Sequence, residues 1–380
     1  MADVLQFSRE TKVFVEIGSD IWEIPVMDGY SFSQATNSTE VVLNEMATAA
    51  GISRRGRRQF NDSVAPAEFS FSTYMRPIEG ADGAAGLGAV EEALWACFFS
   101  KDAAYTSATN TWDKTIDKSV ANTVTIDFDE SNYTALQEFN LYFVLGACTD
   151  TSDITYTAGE GFTIYKIAGS VLNTATINFD IDGIAMIEWG GFGSIITEEA
   201  AFDTTGKIVE GIAATDNFIR NRLTSLSVAT SAAMQTTGFE STYTVVLTGG
   251  SIEFNNNITF LTPETLCLVN QPLGHVTGTR TITGNFTSYL NADSATANTN
   301  ANLWEDLQTY SSEVTTEFDV AFAIGGAGNT PRVTVNLDQC HFEIPTHQID
   351  DVVSLDTAFH ALPSTISETD EGTIEYFKTA

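Results

Sequence analysis

Four arginines stand within five positions, Arg54, Arg55, Arg57 and Arg58, in a chain of 380 residues whose 50 acidic and 17 basic side chains give a net charge of −33. Guanidinium groups grip carboxylates and phosphates in bidentate fashion, so a cluster of them calls for an anionic partner. Nucleic acid would be the generic partner, but the carboxylate excess of the same chain favours an acidic surface of a neighbouring subunit; a solvated loop is the plain alternative. Three histidines, His341, His347 and His360, fall within twenty residues beside Asp350 and Asp351. That set has metal-ligating chemistry, yet it lacks the tight i, i+2 or i, i+4 pairing that would bring the rings to one ion, so scattered histidines and no metal site are expected.

Other chemistry is no better supported. GADGAAGLG, residues 80–88, precedes a helical pattern, but its glycines do not follow G-x-G-x-x-G and no Walker lysine comes after them. No nucleotide or other cofactor is expected. Cys97, Cys148, Cys267 and Cys340 form no C-x-x-C pair and sit in apolar or strand-like contexts, as reduced core residues would. Cys340 and His341, being adjacent, would face opposite sides of a strand and cannot act together. Carboxylates are too numerous for any pair to be singled out as general acid and base, so no catalytic residue is assigned and the chain is not expected to be an enzyme.

With 43% hydrophobic and 11% aromatic residues the chain can bury a core despite its charge. Its length suits one large domain or two of about 150–200 residues, and two is the expectation. So acidic a surface opposes broad affinity for DNA or anionic membranes. The start, MADVLQFSRE, lacks a basic region followed by an apolar run, and the longest apolar stretch, IAMIEWGGFGSII, is broken by Glu188 and a glycine pair. No membrane insertion is expected, and synthesis in a cytoplasm is.

Most of the sequence has the period-two alternation of strands with one face on a core. In TATINFDID, Ile177, Phe179 and Ile181 alternate with Asn178, Asp180 and Asp182; in RVTVNLD, Val333, Val335 and Leu337 alternate with Thr334, Asn336 and Asp338. Helical spacing is confined to residues 88–99, residues 301–310 and the tail after Ser364. A near-repeat stands out: EFNLYFVLGA at 138–147 and EFDVAFAIGGA at 317–327 share a buried face, Phe139, Leu141, Phe143 and Leu145 against Phe318, Val320, Phe322 and Ile324. Other pairs run in the same order: GSDI with GGSI, FSTY with FTSY, the Leu-Trp at 94 with that at 303, and NFDID ending at Asp182 with VNLD ending at Asp338. Their separations fall from about 231 to about 156 residues without crossing, as a duplication with loop insertions in the first copy would give. Residues 1–200 then form a first domain, residues 239–380 a second, and residues 201–238 a connection that contains the second domain's entry strand, around Leu223, Leu226 and Val228.

The stretch WEIPVMDGYSFSQATNSTEVVLNEM, followed by SRRGRRQFNDSVAPAEFSFSTYMRP, resembles the N-terminal part of tail tube proteins of long-tailed bacteriophages. The run from Val314 to Pro363, ending in HFEIPTHQIDDVVSLDTAFHALP, is similar to their closing strands. The resemblance implies a mainly β protein: two tandem β-sandwich or barrel domains, each with a short flanking helix, where typical members have one. It implies a structural virion protein, assembled in the host cytoplasm and resident in the tail, whose rings stack into the conduit for genome delivery. Three chains would supply six domains in a pseudo-hexameric trimer ring, with a hexamer of chains as the alternative. Tape measure and tail terminator or baseplate proteins are the further partners implied, with transient passage of DNA. The alternating positions of Asp180, Asp182 and Asp338 nominate them as lumen lining, and the arginine cluster as a subunit contact. A β-sandwich adhesin is the rival reading, and a β-rich glycan hydrolase a weaker one, since Trp22, Trp95, Trp112, Trp189 and Trp304 are scattered along the chain.

Overall fold

Period-two alternation becomes strand almost wherever it occurs. The computed structural model describes residues 6–41, 58–79, 87–109, 111–128, 135–146, 155–206, 217–264, 266, 269–291, 298–312 and 317–378. The first half contains β1 (Lys12–Ile17), β2 (Asp20–Ile24), β3 (Ser31–Ser33), β4 (Ala67–Tyr74), helix α1 (Glu92–Phe99), β5 (Phe139–Leu145), β6 (Thr163–Asp180), β7 (Met186–Gly193) and β8 (Ile195–Glu198). The second contains β9 (Ser225–Thr230), β10 (Thr242–Thr244), β11 (Leu247–Asn255), β12 (Thr281–Tyr289), helix α2 (Asn300–Thr309), β13 (Phe318–Ile324), β14 (Arg332–Phe342), β15 (Thr346–Ile349), β16 (Val353–Ala361) and β17 (Gly372–Phe377).

Strand pairing follows one scheme twice. In the first half β1 lies between β2 and β5, and β5 pairs with the start of β6. Residues 165–168 of β6 also pair with β8, while residues 171–178 pair with β7, which leads to β4 and then β3. In the second half β9 lies between β10 and β13, and β13 pairs with β14. Residues 332–337 of β14 also pair with β17; its last residues and then β15 pair with β16, which leads to β12 and then β11.

The point at which the long strand changes sheets is the same in both. A bulge falls between Phe139 and Leu141 in one ladder and between Phe318 and Val320 in the other. Gly169 and Gln339 there have φ of 57° and 54°, the left-handed turn a bulge uses to redirect a strand. Ser170 Oγ donates to the Ile167 carbonyl at 3.1 Å, and Cys340 Sγ to the Leu337 carbonyl at 3.7 Å. A second correspondence exchanges partners: Phe69 crosses Gly191 between β4 and β7, and Phe359 crosses Gly284 between β16 and β12, so a Cβ on either glycine would run into the ring.

Register corrects several sequence-based expectations. Phe143 and Phe322 face Tyr165 and Val335, so β6 and β14 match with Asp338 beside the place of Ala168, not that of Asp182. Asp180 instead matches Asp350, just past β15; the break around Pro345, where the first half has one continuous strand, hid this in the sequence. GSDI forms the β1–β2 turn, whereas GGSI lies in β11, which takes the place of β3. β6 ends at Asp180, leaving Ile181 exposed, and Leu223 is exposed outside β9 while Leu226 and Val228 are buried. The tail is a strand, not a helix, because Ile374 and Tyr376 of β17 alternate into the core. An unanticipated short helix, Ala232–Thr237, is capped by Ser231, whose hydroxyl accepts from the Met234 N–H.

One core runs through both halves and a second, smaller one covers the outer face of the first half alone. Phe14, Ile21, Tyr142, Val144 and Ile164 pack there under Tyr156 and Phe202, which sit on the paired strands Thr155–Thr157 and Ala201–Asp203. The matching places in the second half hold Ser227, Thr242, Ala321, Ala323 and Thr334, where nothing comparable among the described residues covers the sheet. The inserted cover and the apolar face beneath it therefore belong together, since neither could be stable without the other. Cys97 and Cys340 are buried and free, with burial pushing both thiols up; Cys148 and Cys267 lie outside the described residues.

The two halves are joined by pairing of β6 with β11 over seven residue pairs, 174–180 against 249–255, and of residues 123–127 with β17. Helix α1 is buried along its whole length at this joint. Trp95 packs on Trp189 at 4.7 Å and on Phe254 at 5.7 Å, and its Nε1 donates to the Tyr376 hydroxyl at 2.9 Å. Beside it, burial pushes the Glu91 carboxyl up to about 8, with Arg76 pulling the other way.

Because the folded protein holds a proton on Glu91 that the unfolded chain releases near its ordinary value of 4.5, this side chain's contribution to stability is full below that value and is lost as pH rises through about 8. Glu91→Gln should therefore gain on the parent in urea midpoint between those limits and run parallel to it above them. Gln339→Gly should stabilise, and Gly169→Gln destabilise, by roughly 1 kcal/mol each; denaturation midpoints of the two variants test whether the shared bulge has the shared backbone.

Candidate functional site

The feature with the clearest functional shape is the sheet that crosses the joint. Its order is β3, β4, β7, β6, β11, β12, β16, then the end of β14 with β15. Eight strand positions in one unbroken ladder come half from each copy. One face is core: Phe69, Phe71, Trp189, Ala175, Ile177, Ile252, Phe254, Ile282, Phe286 and Phe359 are all buried.

Cross-strand partners share a face, so the opposite side can be followed across the ladder. Ser72 faces Glu188, Glu188 faces Thr176, Thr176 faces Glu253, Glu253 faces Thr283, and Thr283 faces His360, which faces His341. Neighbouring rows hold Tyr74, Met186, Asn178, Ser251 and Asn285, then Asp180, Gly249, Thr287 and Asp356. Hydroxyls and amides tie these rows together: Ser31 Oγ and Ser70 Oγ are 2.8 Å apart, and Ser251 Oγ donates to Asn285 Oδ1 at 2.9 Å. Asn285 Nδ2 reaches Asp356 Oδ1 at 3.5 Å.

The face carries Glu68, Asp180, Glu188, Glu253 and Asp356, and among its described strand residues it has no lysine or arginine. With strands about 4.8 Å apart, Glu188 and Glu253 on either side of Thr176 lie about 10 Å from each other, near the screening length of physiological salt. The result is a face on which carboxylates stand among polar side chains with no lysine or arginine among its described strand residues to offset them.

Of the residues nominated from sequence, Asp180 lies on this face. Asp182 lies at its rim in the turn after β6, 3.5 Å from Arg222 in an exposed pair. Asp338 does not join them: it sits at the β14 bulge, where burial, then Asp319 and Asp370, raise its carboxyl above the usual range. Glu68, Glu188, Glu253 and Asp356 went unnoticed, although the Glu188 of MIEWGG and the Glu253 of SIEFN stand between apolar residues at period two.

Arg58 opens the exposed strand Arg58–Val64, paired with Thr36–Val41 as a two-stranded arm; Arg54, Arg55 and Arg57 lie outside the described residues. A second arm, Thr259–Leu261 with Gly274–Val276, stands in the equivalent place, and the Val64 N–H donates to the Asn270 carbonyl at 2.8 Å. The histidines are separated: His341 and His360 face each other, while His347 packs its ring on Trp304 at 5.1 Å. Tryptophans scattered in sequence are paired in space, Trp95 with Trp189 and Trp22 with Trp112 at 5.3 Å. All four are buried in the core and form no platform for a sugar. A cavity of about 660 Å³ lies between Phe99, Asn256, Arg280 and Glu371, but Arg280 is engaged there with Glu371 and with the carbonyls of Phe128 and Thr369.

No family model matches the sequence. The tail tube protein pb6 of Escherichia phage T5 is 30% identical over 386 residues, covering 97% of this chain and 75% of that protein. Similarity at that level, carried from one end of a duplicated β-chain to the other, leaves one placement: the chain belongs to the family of bacteriophage tail tube proteins.

Proposed function

We propose that the chain is the major tail tube subunit, polymerising into stacked rings that form the hollow conduit for genome delivery, and that its halves act as two tube domains. Residues 1–200 and 239–380 are the domains, with 201–238 connecting them. The observation that carries this is the eight-position sheet, which crosses from one copy into the other, has one face without fixed positive charge, and ends on both sides in edges unpaired among the described residues. Exposed edges invite further pairing, and head-to-tail closure of identical chains is the assembly that removes every one. Three chains then make a pseudo-hexameric ring around a barrel of three times eight strands. At about 4.8 Å per strand and a tilt of about 40°, the backbone wall is roughly 45–50 Å across.

The polar face lines the lumen. Glu68, Asp180, Glu188, Glu253 and Asp356, with Asp182 at the rim, repel phosphates over their whole path, so DNA passes without being held. Asp338, set apart at the bulge, is not part of that lining. The subunit does its work by shape and potential and performs no catalysis. Arg54, Arg55, Arg57 and Arg58 meet carboxylates of an adjoining subunit and guide tube growth. A tape measure protein within the tube, and terminator or baseplate proteins at its ends, complete the partners.

Electron microscopy of the purified protein should show hollow tubes of three-fold rings; six chains per ring would correct the stoichiometry, and persistent monomers would overturn the proposal. Replacing Asp180, Glu188 and Glu253 together with lysine should leave tubes intact but make their binding of duplex DNA strongly salt-dependent, and lower infectivity roughly tenfold or more. Unchanged infectivity would refute the lumen assignment. Glu in place of the four arginines should abolish tube growth while leaving the circular dichroism of the monomer unchanged.

A further inference from the structure

The surface made by β15 and helix α2 is incomplete in the single chain. All four residues of β15 are exposed, Ile349 by 81%, although the strand lies in the sheet that crosses the joint. Its counterpart in the first half, residues 176–179 of β6, buries Ile177 and Phe179 because β11 lies alongside. The helices differ in the same way: Trp95 of α1 is wholly buried, with Phe254 and Tyr376 of the second half among its partners, while Trp304, its counterpart on α2, is half-buried with His347 as its one ring partner among the described residues. At the far edge, β3 presents Ser31 and Ser33 beside Tyr30 and, among the described residues, pairs only with β4.

We infer that β15 receives β3 of a second copy of this chain, in the register that β6 and β11 already use within one chain. This rests on the ring reading above and adds the partner strand, its direction and its residue pairs. Within the chain, Asn178 faces Ser251 and Thr176 faces Glu253. Gln348 takes the place of Asn178, since each lies across from the residue that borders Tyr289 or Tyr74, namely Ser354 or Met186. Ser31 takes the place of Ser251, since these face Ser70 and Asn285, each four residues before the same tyrosine. The junction between chains is therefore antiparallel, with Gln348 opposite Ser31 and Thr346 opposite Ser33 of the neighbouring copy.

The register also fixes which side chains meet on the other side of the sheet. Within the chain Phe179 lies across Gly250; between chains Ile349 lies across Tyr30. The places of Phe254 and Tyr376, which cover Trp95, fall on Gln34 and Ala200. Those smaller and more polar groups suit a surface that must stay soluble before it docks.

Opposed Cα atoms in an antiparallel ladder lie about 4.5–5.5 Å apart, within disulfide reach, whereas a shift of two residues exceeds it. Tubes of Ser31→Cys/Gln348→Cys, oxidised and run on a denaturing gel without reductant, should give covalent dimers and closed trimers. Ser33→Cys/Gln348→Cys and each single variant should give at least tenfold less. Tubes that cross-link only in the shifted pair, or in neither, would overturn the register while leaving the tube reading in place; failure of the parent protein to form rings at all would remove the reading itself. Should the double variant not assemble, hydrogen exchange on the parent decides: amides of residues 31–33 and 346–349 should slow at least tenfold on assembly, and unchanged exchange at both would overturn the inference.

Discussion

Backbone hydrogen bonding across the joint between β6 and β11 is the constraint on which the rest of this structure depends. Seven residue pairs make two halves into one sheet, and the backbone groups along that seam are paired because the ladder continues across it. From this follow the burial of α1, the meeting of Trp95 with Trp189 and Tyr376, and the protonated Glu91 next to them. The same continuity gives one face to the core and the other to solvent over all eight strand positions. A break at this joint would expose Ile177, Phe179, Ile252 and Phe254 together.

Charge is distributed to match. Net charge alone says only that phosphates are repelled on average. The ladder shows that Glu188 and Glu253 belong to one row and Asp180 and Asp356 to another, on a face that otherwise carries Glu68, Met186, two histidines and many hydroxyls and amides. An exposed carboxylate on such a face contributes little to stability, so its place there is better explained by what the surface must not bind. Arg222, Arg280 and Arg332 are placed otherwise, against Asp182, Glu371 and the Phe377 ring.

Much of this was legible in the sequence and some was not, for physical reasons. Alternation in TATINFDID and RVTVNLD gave correct strands because one face of each is core, and the echo of Phe139–Leu145 in Phe318–Ile324 marked equivalent strands with equivalent partners. Asp338 was misplaced because VNLD and NFDID spell alike at different points of the long strand, before its bulge in the second half and after it in the first. The carboxylates of the polar face were passed over because one glutamate among apolar neighbours looks like any other until register aligns it. Pairing of the tryptophans is likewise a long-range matter, set by packing and not by local pattern.

Among the described residues the aromatic cover on the outer face occurs only in the first half, where Tyr142 and Phe202 stack at 4.0 Å; the second half has alanines, threonines and a serine in those places. In a ring of three such chains the inside repeats nearly every sixty degrees and the outside only every hundred and twenty. Duplex DNA moving through would meet an almost even wall, with no favoured angle at which to stop. A component that grips the tube from without would find three distinct seats per ring, and through them an azimuth that the channel itself does not provide.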